Sequence, residues 1–277
     1  MAILTASQLS QYERDGYLCP LPALDQAEAS RFRGLFDRFL DQRAEQLAAT
    51  AARNKYQFTS QMHYVYKWVW DLITHPRILD PIEDLLGPNI LAWDSNWFIK
   101  LPGDKTFVSW HQDGTYWNLD RAAVTTAWIA LSPVNPENGC MRVIPGTHQQ
   151  PQMAQRETDS QDNALSRGQE IVDGLDESAA VDLVLNQGEM SLHHLWIVHG
   201  SEAIRSNEPR IGIAVRYINT KVKYVGPGKP MVMLVRGRDD YGHFDLQDPP
   251  SEDCPAGAED AHQEIIDRVR NSIMAEK

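Results

Sequence analysis

The sequence is short of cysteine: Cys19, Cys140 and Cys254 are three in 277 residues, an odd number with no CxxC spacing. A disulfide framework and a cysteine zinc site are therefore excluded, and a reducing compartment is indicated. No run approaches the ~20 apolar residues of a membrane span. Between Met1 and Arg14 no basic segment leads into an apolar one, so no secretory signal is expected. Positive charge is scarce as well: 26 Lys and Arg against 38 Asp and Glu leave a net charge of −12. That balance offers no basic footprint for nucleic acid and no attraction to an anionic membrane surface. The expectation is a cytoplasmic protein that acts on a small molecule. Its oligomeric state is not readable from the sequence.

What is present looks like one domain. At 277 residues the chain exceeds the usual domain, yet β-barrels and sandwiches reach ~200–250 residues as one unit. Thr5 with Gln8 three residues later reads as a capping box for a helix ending at Gly16. A second helix is expected from Asp25, with Phe32, Leu35, Phe36, Phe39 and Leu40 on one face, and the alanine-rich tract from Gln46 to Ala52 extends it. A short one covers Pro81 to Leu86. The texture changes at Asn89. Runs rich in β-branched and aromatic residues follow at 90–99, 107–111, 125–131, 141–144, 189–198 and 211–217, each bounded by Gly, Pro or Asn. Many short strands between turns suggest an antiparallel sandwich or jelly roll. The predicted organisation is an all-β core with flanking helices: residues 1–88 mainly helical, 89–220 the β core, and 221–277 loops and a last helix. The polar insert 148–176 reads as a lid.

Two segments carry chemistry. Trp110-His111-Gln112-Asp113-Gly114 puts His111 and Asp113 two apart, on one face of a strand. Val198-His199-Gly200-Ser201 lies far downstream and is followed by Arg210. Two histidines and one carboxylate are the ligand set of non-haem Fe(II) oxygenases, which leaves open positions on the metal. A 2-oxo acid would fill two of them and dioxygen the third. Arg210 offers a planar fork for a distal carboxylate, and Ser201 a hydroxyl donor. A lone His-x-Asp is weak evidence, since motif matches often mislead; it gains weight from the second histidine and the arginine. Two other readings stay open at this point: a non-redox, cupin-like metal enzyme, and a non-catalytic small-molecule-binding module.

These residues, together with Asn138-Gly139-Cys140-Met141-Arg142-Val143-Ile144-Pro145-Gly146-Thr147-His148, resemble the phytanoyl-CoA dioxygenase family of Fe(II)/2-oxoglutarate oxygenases. The resemblance implies a double-stranded β-helix of the jelly-roll, cupin-like kind. It implies iron bound by His111, Asp113 and His199, and 2-oxoglutarate gripped by Arg210 and Ser201. It further implies dioxygen as oxidant, hydroxylation of an unactivated C–H bond, and release of succinate and carbon dioxide. Chlorinating relatives carry Ala or Gly at the carboxylate position; Asp113 argues against that chemistry here.

Asn96 and Thr126 fall on strands expected to line the barrel and are candidate partners of 2-oxoglutarate. Trp128 shares the parity of Thr126 and could form an aromatic wall. Tyr116 and Trp117 follow the metal motif and could cover substrate. His193, in phase with His199 on what reads as one strand, could face the cavity. Arg216 and Arg236 are candidate substrate residues, which would suit a polar or anionic metabolite. The segment from Leu234 to Phe244 resembles relatives that act on small metabolites, 2-aminoethylphosphonate among them.

Overall fold

Thr5 caps α1 (Ala6–Asp15) as its spacing to Gln8 predicts, and Gly16 ends the helix in the left-handed region at φ 82°. Gly16 is needed twice over, because a Cβ there would stand 2.4 Å from the His148 ring. The protein is seen here as a computed structural model that describes residues 3–45, 58–150, 152–165, 167–253 and 255–274. The tract from Gln46 to Ala52, expected to lengthen the second helix, lies outside the described residues. Up to that point α2 (Gln26–Gln42) follows its pattern: Asp25 caps it, and Phe32, Phe36 and Phe39 turn inward. Phe36 stacks on Trp97 with ring centroids 3.8 Å apart, which seats the helix on the outer face of the large sheet.

Two helices differ from expectation. α3 (Lys67–Ile73) was not anticipated, because Trp68, Val69 and Trp70 in succession favour a strand on propensity alone. Burial of Trp68, Val69, Leu72 and Ile73 against the helical core decides otherwise. α4 (Pro76–Leu86) starts earlier than Pro81, with Pro76 in the first turn and the His75 side chain accepting from the Arg77 N–H.

The β core is two facing sheets. The larger has seven strands in the order β1 (Tyr17–Pro22), β9 (Glu189–His194), β4 (Val124–Ala130), β11 (Arg210–Asn219), β2 (Ile90–Lys100), β12 (Met231–Arg236) and β13 (Asp245–Leu246). The smaller runs β3 (Val108–His111), β10 (Val198–Ser201), β5 (Arg142–Ile144) and β8 (Val181–Asp182). The 189–198 run is thus not one strand. It breaks at Leu195, Trp196 and Ile197, where the chain crosses from the large sheet to the small one. All seven residues of β4 are buried, because helices cover one face and the second sheet the other. β1 and β12 had not been expected.

The 148–176 insert folds back on the smaller sheet. Its hairpin, β6 (Gln155–Arg156) with β7 (Glu170–Ile171), is tied to β3 where Ser109 Oγ donates to the Gln169 carbonyl at 2.5 Å and the Asn163 amide donates to Ser109 Oγ at 2.9 Å. A last helix, α5 (Ala258–Met274), is pinned by His262 Nε2, which donates to the Ser60 carbonyl at 2.6 Å. No helix among the described residues is long and apolar enough to cross a membrane.

Candidate metal centre

β3 ends at His111, and the chain then turns through a 3-10 segment from Asp113 to Tyr116. Gln112 between them is extended, so His111 and Asp113 face the same way. The turn packs tightly on the sheet crossing, where a Cβ at Gly114 would meet Trp196 at 2.7 Å. His199 sits directly opposite His111 in the β3–β10 register. The fold therefore brings the three residues together.

Both imidazoles are oriented by their own backbone. His111 Nδ1 donates to the Ser109 carbonyl at 2.9 Å and His199 Nδ1 to the Ile197 carbonyl at 3.1 Å, which leaves each Nε2 lone pair facing inward. Asp113 Oδ1 lies 3.4 Å from His111 Nε2 and 4.0 Å from His199 Nε2. Those separations suit one ion bonded at about 2.0–2.2 Å to each. All three side chains are buried. Burial, and then the neighbouring His111, hold the His199 imidazolium well below the ordinary histidine range. Burial alone would raise the Asp113 carboxyl, but Arg216, the His111 hydrogen bond and the two imidazoles hold it well below the usual carboxylate range. His199 is thus neutral and Asp113 ionised at neutral pH, the forms a metal requires of them. The residues fit a divalent ion.

The cavity runs along the inner face of the large sheet. His111 and His199 line one end, with Thr126, Trp128 and Ala214 on the wall, and Ser201 and Arg210 line the other. Arg210 is 2% exposed and stands in register with Lys100, which is wholly buried. Lys100 Nζ donates to Ser201 Oγ at 2.7 Å, to the Gly139 carbonyl at 3.3 Å, and to the Glu202 carbonyl. Arg210 also donates to the Gly139 carbonyl, and its guanidinium lies 5.5 Å over the Trp128 ring. Burial, and next the Arg210 charge, push the Lys100 ammonium down to about 5. An arginine and a lysine held together in a buried pocket, the lysine placed to take up a proton beside a negative charge, mark a place for an anion. Sequence reasoning missed Lys100. The available signal was its parity with Asn96 on β2, a strand face already assigned to the barrel interior.

The other candidates divide. Thr126 lines the cavity, and its Oγ1 has no hydrogen-bond partner among the described residues. His193 also lines it, in register with Thr126 and with its ring 4.9 Å from that of His199, although it sits on a separate strand from His199. Burial pushes His193 down to about 4, so it is neutral. Arg216 lines the cavity but is engaged by Asp94 at 2.9 Å. Asn96 is on the same face of β2, where its amide donates to Asp94 at 2.6 Å, and it is not among the residues lining the cavity. Trp117 packs with Leu91 and Val124 and lies 5.6 Å from the Arg216 guanidinium. The side chain of Tyr116 lies outside what the structure describes. Arg236 is not brought to the site: it bridges Asp80 and Glu83 of α4, at 2.7 Å each.

Known proteins resemble this chain over most of its length. Residues 12–212 match the family described as phytanoyl-CoA dioxygenase (PhyH). The peroxisomal phytanoyl-CoA dioxygenase of Bos taurus is 27% identical over 241 residues, covering 80% of this chain and 71% of that protein. Among solved structures, the non-haem monooxygenase ThoJ in its apo form superimposes with a TM-score of 0.82 at 30% identity, over 96% of this chain and 97% of its own. CytC3 with Fe(II) and α-ketoglutarate shares the fold at a TM-score of 0.67 and 24% identity, over 91% and 97% of the two chains.

Proposed function

The chain belongs to the phytanoyl-CoA dioxygenase family and is a non-haem Fe(II)- and 2-oxoglutarate-dependent dioxygenase; on that footing we propose how its own residues divide the work. His111, Asp113 and His199 hold the iron. Arg210, Lys100 and Ser201 hold the distal carboxylate of 2-oxoglutarate. The observation that carries this reading is the two-ended cavity, with the buried His111, Asp113 and His199 cluster at one end and the buried Arg210 and Lys100 in register at the other.

Bound iron, 2-oxoglutarate and dioxygen supply the oxidising power, with succinate and carbon dioxide as by-products. The protein supplies binding, orientation and dryness. Trp128 forms the cavity wall and backs Arg210. Gly212 makes room for it, since a Cβ there would stand 2.3 Å from the Trp128 ring. Gln112 ties the insert to the metal loop: its Oε1 accepts from the Met153 N–H at 2.9 Å while its Nε2 donates to the Trp196 carbonyl at 2.7 Å. The insert thereby acts as a cover that excludes water.

The substrate is a small polar metabolite, hydroxylated at an unactivated C–H bond in the cytoplasm. Thr126 Oγ1 and His193 Nδ1, buried and without partners among the described residues, are the polar atoms available to orient it. Trp117 closes the Arg216 side. An aminophosphonate such as 2-aminoethylphosphonate is one member of that class. The test is succinate release from iron-loaded enzyme with a panel of small polar acids, amines and phosphonates. The reading expects one compound class to accelerate release and to gain one oxygen atom. Large apolar thioesters accelerating release, with every small polar compound inert, would overturn the substrate class.

A further inference from the structure

One rung of the large sheet is polar across four strands. Asp94 on β2 faces Arg216 on β11, Arg216 faces Thr126 on β4, and Thr126 faces His193 on β9. The next rung, Asn96, Ala214, Trp128 and Ser191, carries no charged side chain, so a buried guanidinium at this level needs a reason. Arg216 is gripped on several sides. Its Nη1 donates to Asp94 Oδ2 at 2.9 Å, and the rings of Trp117 and Phe98 lie 5.6 and 5.9 Å from its Cζ. Asp94 is itself fixed. Its Oδ2 accepts from the Asn96 amide at 2.6 Å, and its Oδ1 accepts from the Gln61 amide. Gln61 reaches it from a left-handed backbone position at φ 58°, a conformation that costs a non-glycine residue energy and persists where the surroundings enforce it.

The remaining face of the guanidinium is turned to the metal carboxylate. Arg216 Nε stands 3.7 Å from Asp113 Oδ2, and neither atom has a hydrogen-bond partner among the described residues. Asp113 Oδ1 is the oxygen that faces both imidazoles. The two carboxylate oxygens are thus divided between two tasks.

We propose that Arg216 is a positioning residue for the iron site: it holds the outer oxygen of Asp113 so that the carboxylate offers Oδ1 alone, and Asp94 fixes the guanidinium and balances its charge against the metal. This rests on the reading of His111, Asp113 and His199 as the metal ligands. It also changes the role of Arg216, which sequence reasoning had offered as a substrate contact. A substrate anion at its Nη1 would compete with Asp94. Charge decides the sign of the expected effect. A bare guanidinium beside a divalent ion would weaken metal binding, whereas one neutralised by Asp94 acts mainly through orientation. Groups that orient a metal ligand typically contribute 10- to 100-fold in affinity.

The experiment is an anaerobic titration of the full chain with Co(II), read by its visible bands, for wild type, R216K, R216Q, D94N and the D94N/R216Q pair. R216Q is expected to raise the Co(II) Kd by about 10- to 100-fold and to alter the bands, with R216K, which keeps the charge and loses the fork, in between. D94N should weaken binding too, and the double variant should be no weaker than R216Q alone, because the two residues act as one unit. Thermal unfolding of the metal-free variants serves as the folding control; if R216Q does not fold, R216K and D94N carry the same test. A Co(II) Kd within twofold of wild type in the folded variants would overturn the proposal, as would tighter binding, which would show the guanidinium acting on the ion through charge alone. A raised substrate KM with unchanged Co(II) affinity would return Arg216 to a substrate role. His199→Ala binding Co(II) as tightly as wild type would instead remove the metal-site reading itself.

Discussion

Lys100 and Arg210 stand opposite each other across β2 and β11, both buried, with Arg210 and the Lys100-bound Ser201 lining the end of the cavity away from His111 and His199. Their proximity has a consequence for pH. Burial, then Arg210, lowers the Lys100 ammonium from its ordinary value to about 5, so near neutrality the amine of the free enzyme is uncharged. A dicarboxylate beside it favours the ammonium, so 2-oxoglutarate binding takes up a proton. Affinity is then greatest at low pH and falls as pH rises above about 5 toward the value of Lys100 in the complex. Calorimetry in buffers of different ionisation enthalpy should show uptake of about one proton near neutral pH. Lys100→Met should abolish that uptake and weaken 2-oxoglutarate binding. An unchanged proton count in the variant would remove Lys100 from the site.

Gly212 is the second test of the carboxylate end. Its missing side chain leaves room for Trp128, which backs Arg210. Gly212→Ala should push that ring toward the cavity, at a cost of about 1–3 kcal/mol in stability from overpacking. 2-Oxoglutarate binding should weaken while metal affinity holds. Isothermal titration of each ligand separately distinguishes this from general damage, which would weaken both.

Gln112 tests the cover. It joins the metal loop to Met153 of the insert and to the sheet crossing at Trp196. Gln112→Ala should leave Fe(II) binding in place, speed proteolysis within 148–176, and raise succinate release that yields no hydroxylated product. Tight coupling and unchanged proteolysis would mean the insert needs no such tie.

The metal triad was legible because each half is local. His111 and Asp113 share a strand face by spacing alone, and His199 carries its own Gly200-Ser201 context. The cores of β2, β4 and β11 were legible from β-branched runs bounded by Gly and Pro. The break at Leu195 was not, since a strand that changes sheets keeps the same apolar texture on both sides. α3 was hidden by its tryptophans, whose strand propensity gave way to burial between α2 and the sheet. Lys100 reads as a solvated strand end before a Pro102-Gly103 turn, and only the register with Arg210 reveals it as buried. Arg236 failed for the opposite reason. It was offered for its charge, and the acids of α4 that claim it are adjacent only in three dimensions. The role of Asp94 depended on the Gln61 turn, which no pattern announced.

The most direct test of the central claim is an anaerobic titration of the protein with Fe(II) and then 2-oxoglutarate, followed by visible absorption. The account predicts a weak charge-transfer band in the wild type. The band should be absent in His199→Ala, and in Arg210→Ala it should require far more 2-oxoglutarate, roughly 10- to 150-fold for loss of a charged hydrogen bond worth about 1.5–3 kcal/mol. Iron demonstrably bound with no band at saturating 2-oxoglutarate would contradict the account, and would leave the triad as the centre of a non-redox enzyme.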